Sequence, residues 1–503
     1  MSANPEAPVA SPPSIQAPAP PSAPRTPQNI PGLRFPLPFY MFLPWVKLGH
    51  PIRLFEYLHK RFGNIAHYRL FNTYIVFVNE PEYIREILIN QAGSFIKERT
   101  LKRMKILLGE GLITSDDPIH MRQRRIAAPA FHRQRIQAYG ETIAASAAAQ
   151  RDRWQPGQTI DIASAMMDLS LEIVARTLFD TEVTADIRGI NDDVNAIMGI
   201  YNFLIGMPKL ESYLNWPIPG LIKFRRSRDR LFATVDRLIA EHKAAGALPG
   251  NDKGDLLSML LSSRDEEADA QGQHTGMSDQ QVRDEVLTIF LAGYETVANG
   301  LTWTWYLLSQ NPEVEAKLHA ELDAVLGNNP GAPHLASEMW DSTNKIPRPT
   351  HRLPTLADYP QLRYTEQVFA EAMRLYPPAW AMGRMSTKPI TLGPWRIPPG
   401  SHFFLSQYIM HRSEEHFPDP LRFDPDRHTP ENKAKRPRFA YFPFGGGNRQ
   451  CIGEAFAWME GIFSIATLAS RWRMEYQGTT PPIPQAKITL RPRDPLMMRL
   501  IPR

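Results

Sequence analysis

The sequence predicts a mainly α-helical fold with small β-sheets, and three observations carry that prediction. A run of about 30 residues ending near Gln310 opens on a capping-box-like SDQQ at Ser278 and stays helical in character throughout. Stretches with apolar residues at helical spacing recur on both sides of it. Tyr68–Asn79 (YRLFNTYIVFVN), rich in β-branched and aromatic residues, reads instead as a short hairpin. No internal repeat is visible. A length rule would divide 503 residues into several domains, but no interior segment reads as a linker. Residues 35–503 are therefore expected to form one body, preceded by a tail over 1–34.

In chain order, the tail is rich in Pro, Ala and Ser with almost no large apolar side chains, a composition that cannot bury enough surface to fold. It lacks the charged start and apolar run of a secretory signal. Phe35–Trp45 (FPLPFYMFLPW) is apolar but about half the roughly 20 residues of a spanning helix, and it carries prolines. A transmembrane anchor is not expected; packing onto the core is the commoner use of such a segment, and peripheral membrane contact the other. After the hairpin, helices are expected near Pro81–Asn90, Ile119–Ala127, Gln137–Arg153, Ala163–Phe179, Asp192–Ile205, Ile222–Ala244 and Asp255–Ser262. The long helix follows, then one opened by Asn311–Pro312 through Leu326. Gly327–Leu353 is rich in Pro, Gly and His and reads as an exposed insertion. Thr365–Leu375 is a further helix, stopped by Pro377–Pro378.

Composition excludes several classes. One cysteine rules out an intramolecular disulfide and a cysteine-based zinc site. Such a residue is ordinarily an inert small hydrophobe. The net charge of +5 and pI near 9.1 are mild for this length. The basic clusters Lys97–Lys105, Arg122–Arg125 and Lys433–Arg438 are too sparse for a nucleic-acid interface. They read as solvated faces, with docking of an acidic protein as the second use.

Local context lifts Cys451 above that base rate. It lies in Phe444–Gly453, FGGGNRQCIG, where three glycines let the backbone approach a sulfur closely. GEAFA at Gly453–Ala457 begins a helix whose dipole favours a negative sulfur. Upstream, Glu371 and Arg374 stand three apart on one helix face and can share an ion pair. Ala292-Gly293-Tyr294-Glu295-Thr296 interrupts an apolar helix with a glycine and an acid–alcohol pair, a poor helix choice that asks for a purpose. The bland use is a packing glycine and a threonine bonded back to a carbonyl one turn earlier.

Together these residues resemble the cytochrome P450 superfamily, whose pattern F-x-x-G-x-R-x-C-x-G is met in all five of its fixed positions. The resemblance spans Phe35–Arg503, toward soluble bacterial members similar to fatty-acid hydroxylases and their microsomal cousins. It implies the P450 fold, with haem b between the long helix and the cysteine loop. Cys451 is then the proximal iron ligand, with Phe444, Gly447, Arg449 and Gly453 around the cofactor and His120, Arg124 and Arg384 on its propionates. Glu371 and Arg374 would lock onto Arg427 in the FDPDR loop. Ala292 and Gly293 would leave room for dioxygen, while Thr296 and Glu295 deliver protons. Val297, where a second Thr or Ser is common, departs from the pattern.

The implied activity inserts one oxygen atom from O2 into a hydrophobic substrate, a fatty acid or a terpenoid. Ile113, Phe203, Leu204, Ala379, Trp380, Met382, Leu496 and Met497 are the expected substrate pocket. The chain ends about 50 residues after Cys451, so a ferredoxin, a flavodoxin or a flavin-type donor with its reductase is expected to supply electrons, docking near Lys433–Arg449. A cytoplasmic monomer is expected. Peroxide-using, isomerase or dehydratase relatives and a non-catalytic haem binder are the alternatives, and the Glu295–Thr296 pair argues against them.

Overall fold

The computed structural model describes residues 30–37, 50–70, 73–178, 193, 197, 215–244, 246, 255–262, 276–327 and 351–503. Most of the expected helix 192–205, Phe203 and Leu204 included, most of the tail and most of the 327–353 insertion lie outside these residues. Gly327 and His351, which flank the insertion, meet in a single antiparallel bridge.

Helices dominate. The long helix, Asp279–Gln310, has 32 residues and a complete capping box: the Ser278 hydroxyl accepts the Gln281 N–H and the Gln281 side chain accepts the Ser278 N–H. It is buried almost all round, with Trp303 and Trp305 fully enclosed. Helices Ile162–Leu178, Pro219–Ala244, Arg363–Leu375 and Glu454–Ala469 pack against it. In that dry setting the hydroxyls of Thr302 and Thr304 fold back onto the carbonyls of Ala298 and Gly300, at 2.7 and 2.8 Å.

The strands are short: β1 (Ile65–Leu70), β2 (Thr73–Val78), β3 (Phe95–Lys97), β4 (Thr159–Asp161), β5 (Met382–Ser386), β6 (Ile390–Leu392), β7 (Trp395–Ile397), β8 (His402–Leu405), β9 (Trp472–Tyr476), β10 (Pro484–Ala486), β11 (Leu490–Pro492) and β12 (Met497–Pro502). The expected hairpin is β1–β2 and begins three residues earlier than Tyr68, with Ile65 opposite Val78. It is the edge of a five-stranded sheet in the order β1-β2-β8-β5-β3. Alternation along β2 sends Val76 and Val78 to one apolar cluster and Ile75 and Phe77 to another. The much larger helical core lies elsewhere, around the long helix.

Beside this core sits a buried polar frame. Arg374 and Glu371 are both fully buried, and Arg374 donates to Glu371 at 2.7 and 2.8 Å and to the carbonyls of His411, Pro420 and Arg422. Every guanidinium donor is used, as a buried charge requires. Arg427 Nε comes within 3.4 Å of Glu371 but is not aligned for a hydrogen bond, and its Nη2 donates to the Asp419 carbonyl instead. His428, which the sequence reading did not place here, holds Glu371 through Nε2 at 2.9 Å. Burial, followed by the neighbouring Arg436 and Arg374, keeps His428 below the ordinary histidine range against the pull of Glu371, so its neutral ring donates from Nε2.

Candidate active site

A cavity of about 310 Å³ runs through the helical core and brings together the long helix and the cysteine loop. Ala292, Gly293 and Thr296 line it from the helix; Phe444, Arg449, Cys451 and Gly453 line it from the loop. Ile113, Ala379 and Met382 complete it with Leu112, Leu178, Ile289, Val297 and Pro378, so the wall is largely apolar.

The loop owes its shape to its glycines. Gly445 and Gly447 have φ of +73° and +68°, where an L side chain is strained. A Cβ at Gly447 would also lie 2.0 Å from the Leu88 carbonyl oxygen. Gly447 thus faces the helical turn Glu86–Asn90 and does not line the cavity. Cys451 N–H donates to the Phe444 carbonyl at 3.0 Å, closing the loop, and the helix Glu454–Ala469 starts three residues on. Cys451 is exposed, and it lines the cavity. Desolvation by the surrounding protein pushes its thiol up to about 11, with the Gly453 N–H pulling the other way. A cation at the sulfur is what would make it a thiolate.

Cations gather at one side. Lys97, Arg124 and Arg449 line the cavity beside the His120 imidazole, and Arg384 is the register partner of Lys97 across β3–β5 without lining it. Arg449 donates to the Ser115 carbonyl at 2.7 Å, and Arg124 to the Gln450 carbonyl at 2.7 Å. His120 bonds Asp117 at 3.1 Å and is lowered to about 4 by burial and then by Arg449 and Lys97, so it is neutral at pH 7. The Lys97 ammonium makes no hydrogen bond or ion pair with a described residue. Burial, then Arg384 and Arg449, push its pKa far down. Burial and Arg449 lower Arg384 to about 10. So many cations around one cavity, one of them orphaned, ask for an anionic occupant. A cofactor that offers carboxylates here and a metal ion to the Cys451 sulfur fits the residues present. The sequence reading missed Lys97; its signal was the alternation in FIK, which buries Phe95 and Lys97 on one face of β3.

Thr296 Oγ1 donates to the Ala292 carbonyl at 2.7 Å, and the hydroxyl still lies on the cavity side of the helix. Glu295 does not line the cavity. Its carboxylate accepts the Thr489 hydroxyl at 2.5 Å; burial raises its pKa, while Thr489, Arg491 and Lys487 oppose the rise.

Three expected pocket residues also lie elsewhere. Trp380 points away from Ala379, donates its indole N–H to the Lys487 carbonyl at 2.8 Å and packs on Phe55. Leu496 is buried in the helical core, and Met497 is 38% exposed on β12. Within the basic segment, Lys433 pairs with Glu366 and Arg436 stacks on Phe417, while Lys435 and Arg438 stay exposed, Arg438 on a groove that reaches Phe444 and Gln450.

A cysteine opening onto a cavity that it shares with a glycine- and threonine-bearing helix, under a rim of cations, is the arrangement of a haem-thiolate oxygenase. The sequence model of cytochrome P450 matches residues 31–499, and the chain belongs to the cytochrome P450 family. It is a P450 monooxygenase, and the family implies a haem-thiolate cofactor, dioxygen and an organic substrate. Cyclooctatin synthase from Streptomyces melanosporofaciens is 38% identical over 88% of this chain and 88% of its own length. Pentalenene oxygenase from Streptomyces avermitilis is 32% identical over 91% and 94%. Among solved structures, the heme domain of cytochrome P450DA superposes with a TM-score of 0.77 at 21% identity, covering 96% of this chain and 99% of that one, a likeness of fold.

Proposed function

We propose that the chain binds haem b through the Cys451 thiolate and inserts one oxygen atom from O2 into a terpenoid. The observation that carries this is the sharing of one apolar cavity by Cys451, Thr296 and the cationic rim. When bound, the haem supplies oxygen activation. The protein's part is placement and protons. Lys97, Arg124 and Arg449, with Arg384 behind Lys97, would hold the propionates. The glycine loop sets the sulfur at the cavity floor, and the Gly453 N–H eases its ionisation.

Thr296 already offers its proton to Ala292 O, a bond it can exchange for one into the cavity without leaving its rotamer well. Glu295, next along the helix, is the proton source behind it. The apolar wall excludes water and favours a hydrocarbon skeleton; relatives named for cyclooctatin and pentalenene support a cyclic terpenoid over a fatty acid. Residues 35–503 would work as one haem domain and a cytoplasmic monomer, reduced by a separate ferredoxin, flavodoxin or flavin-type donor at the exposed Lys435–Arg438 face. No described helix is long and apolar enough to cross a membrane.

Thr296→Ala tests the reading. The fraction of electrons recovered in product should fall several-fold while reduction proceeds; parental coupling would overturn the role of Thr296. For the substrate, cyclic terpenes should produce the low- to high-spin shift at lower concentrations than fatty acids, and the reverse order would overturn the terpenoid assignment.

A further inference from the structure

His411 ends the short helix Gln407–Met410 and is fully buried, far in sequence from every motif of the site. Its ring accepts the Phe442 N–H at Nε2, at 3.0 Å. The ring's own proton therefore sits on Nδ1. From that bond a short series of contacts leads to the sulfur. The Phe442 carbonyl accepts the Gly445 N–H, and the Phe444 carbonyl accepts the Cys451 N–H, both at 3.0 Å. Pro443 between them has a nearly fixed φ, so the placement of Phe442 is passed on to Phe444.

The backbone of His411 belongs to the buried frame. Its carbonyl accepts Nη1 of Arg374 at 2.7 Å, and Arg374 is the partner of Glu371. One residue thus meets the ion pair through its carbonyl and the cysteine loop through its imidazole. Only an unprotonated Nε2 can accept the Phe442 N–H. Burial, then the charges of Arg374 and Arg412, keep the His411 pKa well below the ordinary histidine value, while the Met373 carbonyl pulls the other way. The cations of the frame therefore favour the form of the ring that holds the loop. Tyr441, the residue before Phe442, makes a parallel contact: its hydroxyl donates to the Ala370 carbonyl at 2.9 Å, and its ring lies 5.0 Å from that of His411.

We propose that His411 is a positioning residue for the thiolate: through the Phe442 N–H it sets where Phe444 and the Cys451 sulfur stand, and so tunes the potential of the iron. The proposal rests on Cys451 being the iron ligand. No proton or electron passes through His411, and its part is geometric. Without the acceptor, the Phe442 N–H is left unpaired in a buried site, and the loop regains a partner only by moving.

The test uses the haem-loaded, full-length protein and compares the parent with His411→Leu, His411→Gln and Tyr441→Phe. Leucine removes the acceptor, whereas the glutamine oxygen reaches about as far as Nε2. In His411→Leu the midpoint potential and the iron–sulfur stretching frequency should both shift, and amide exchange at Phe442 should speed up about tenfold. His411→Gln should return all three toward the parent. Tyr441→Phe loses a neighbouring hydrogen bond of the same frame and should leave all three at parental values. Should His411→Leu not retain haem, His411→Asn, too short to reach the Phe442 N–H, is read in its place. A parental potential and stretching frequency in the variant lacking the acceptor, or equal shifts in Tyr441→Phe, would overturn the proposal. An imidazole-type carbon monoxide band in the parent would instead defeat the ligand assignment, and the role of His411 with it.

Discussion

Replacing Glu371 by Gln removes one charge from a frame that is otherwise fully built. Arg374 would keep its three carbonyl acceptors but lose its counter-charge, in a site where both side chains have no exposure. Its cost can be read from the acid itself. Burial acts to raise the Glu371 pKa, but the hydrogen bond from His428 and the charge and hydrogen bonds of Arg374 outweigh it and hold it at about 2, against an ordinary 4.5. That displacement corresponds to about 3 kcal/mol of stability. Breaking a buried pair by removing one partner costs about 3–5 kcal/mol, which agrees. Because the folded-state pKa is depressed, the contribution is complete above the unfolded value of 4.5 and is lost as pH falls toward about 2. Urea denaturation of the parent and Glu371→Gln should therefore differ by about 3 kcal/mol at neutral pH, with the gap closing below about pH 4.5. A neutral-pH gap under about 1 kcal/mol, or one that stays constant into acid, would refute the reasoning.

Three other substitutions probe separate parts of the structure. Gly447→Ala places a Cβ 2.0 Å from the Leu88 carbonyl oxygen at a φ of +68°, so it should cost about 2 kcal/mol or more and lower the haem-to-protein ratio measured after purification. Lys97→Met should speed haem transfer to apomyoglobin about tenfold through loss of one charged hydrogen bond, while Lys97→Arg stays near the parent; equal rates in all three would remove Lys97 from the cofactor site. Glu460, fully enclosed in the helix after the cysteine, is raised by burial to about 8 from 4.5, so its fold penalty is absent below 4.5 and grows as pH rises to about 8. Glu460→Gln should accordingly stabilise, by an amount on the order of 3 kcal/mol at about pH 8 and little at about pH 5, and a thermal shift independent of pH would contradict this.

The sequence carries the long helices well, because capping at Ser278 and apolar spacing are local properties. It carries β1–β2 for the same reason. Strands β3, β5 and β8 are invisible to pattern because they span three to five residues and are strands only through their partners. The same distinction divides the site. Cys451, Arg449 and Thr296 are announced by neighbours in the chain. Lys97 looks like the start of a surface basic run until β3 folds it inward beside Arg384. His428 was adjacent to the expected Arg427, but only the fold shows that its ring meets Glu371. Trp380, expected in the pocket from the family resemblance, is held by the Lys487 carbonyl, and the turn after Pro378 presents Ala379 to the cavity instead.

Thiolate ligation from Cys451 is the claim on which the rest depends, and the absorption spectrum of the reduced protein under carbon monoxide addresses it directly. A Soret band of the thiolate type is expected in the parent and should be lost in Cys451→His. An imidazole-type band in the parent, or a thiolate-type band surviving in Cys451→His, would contradict it.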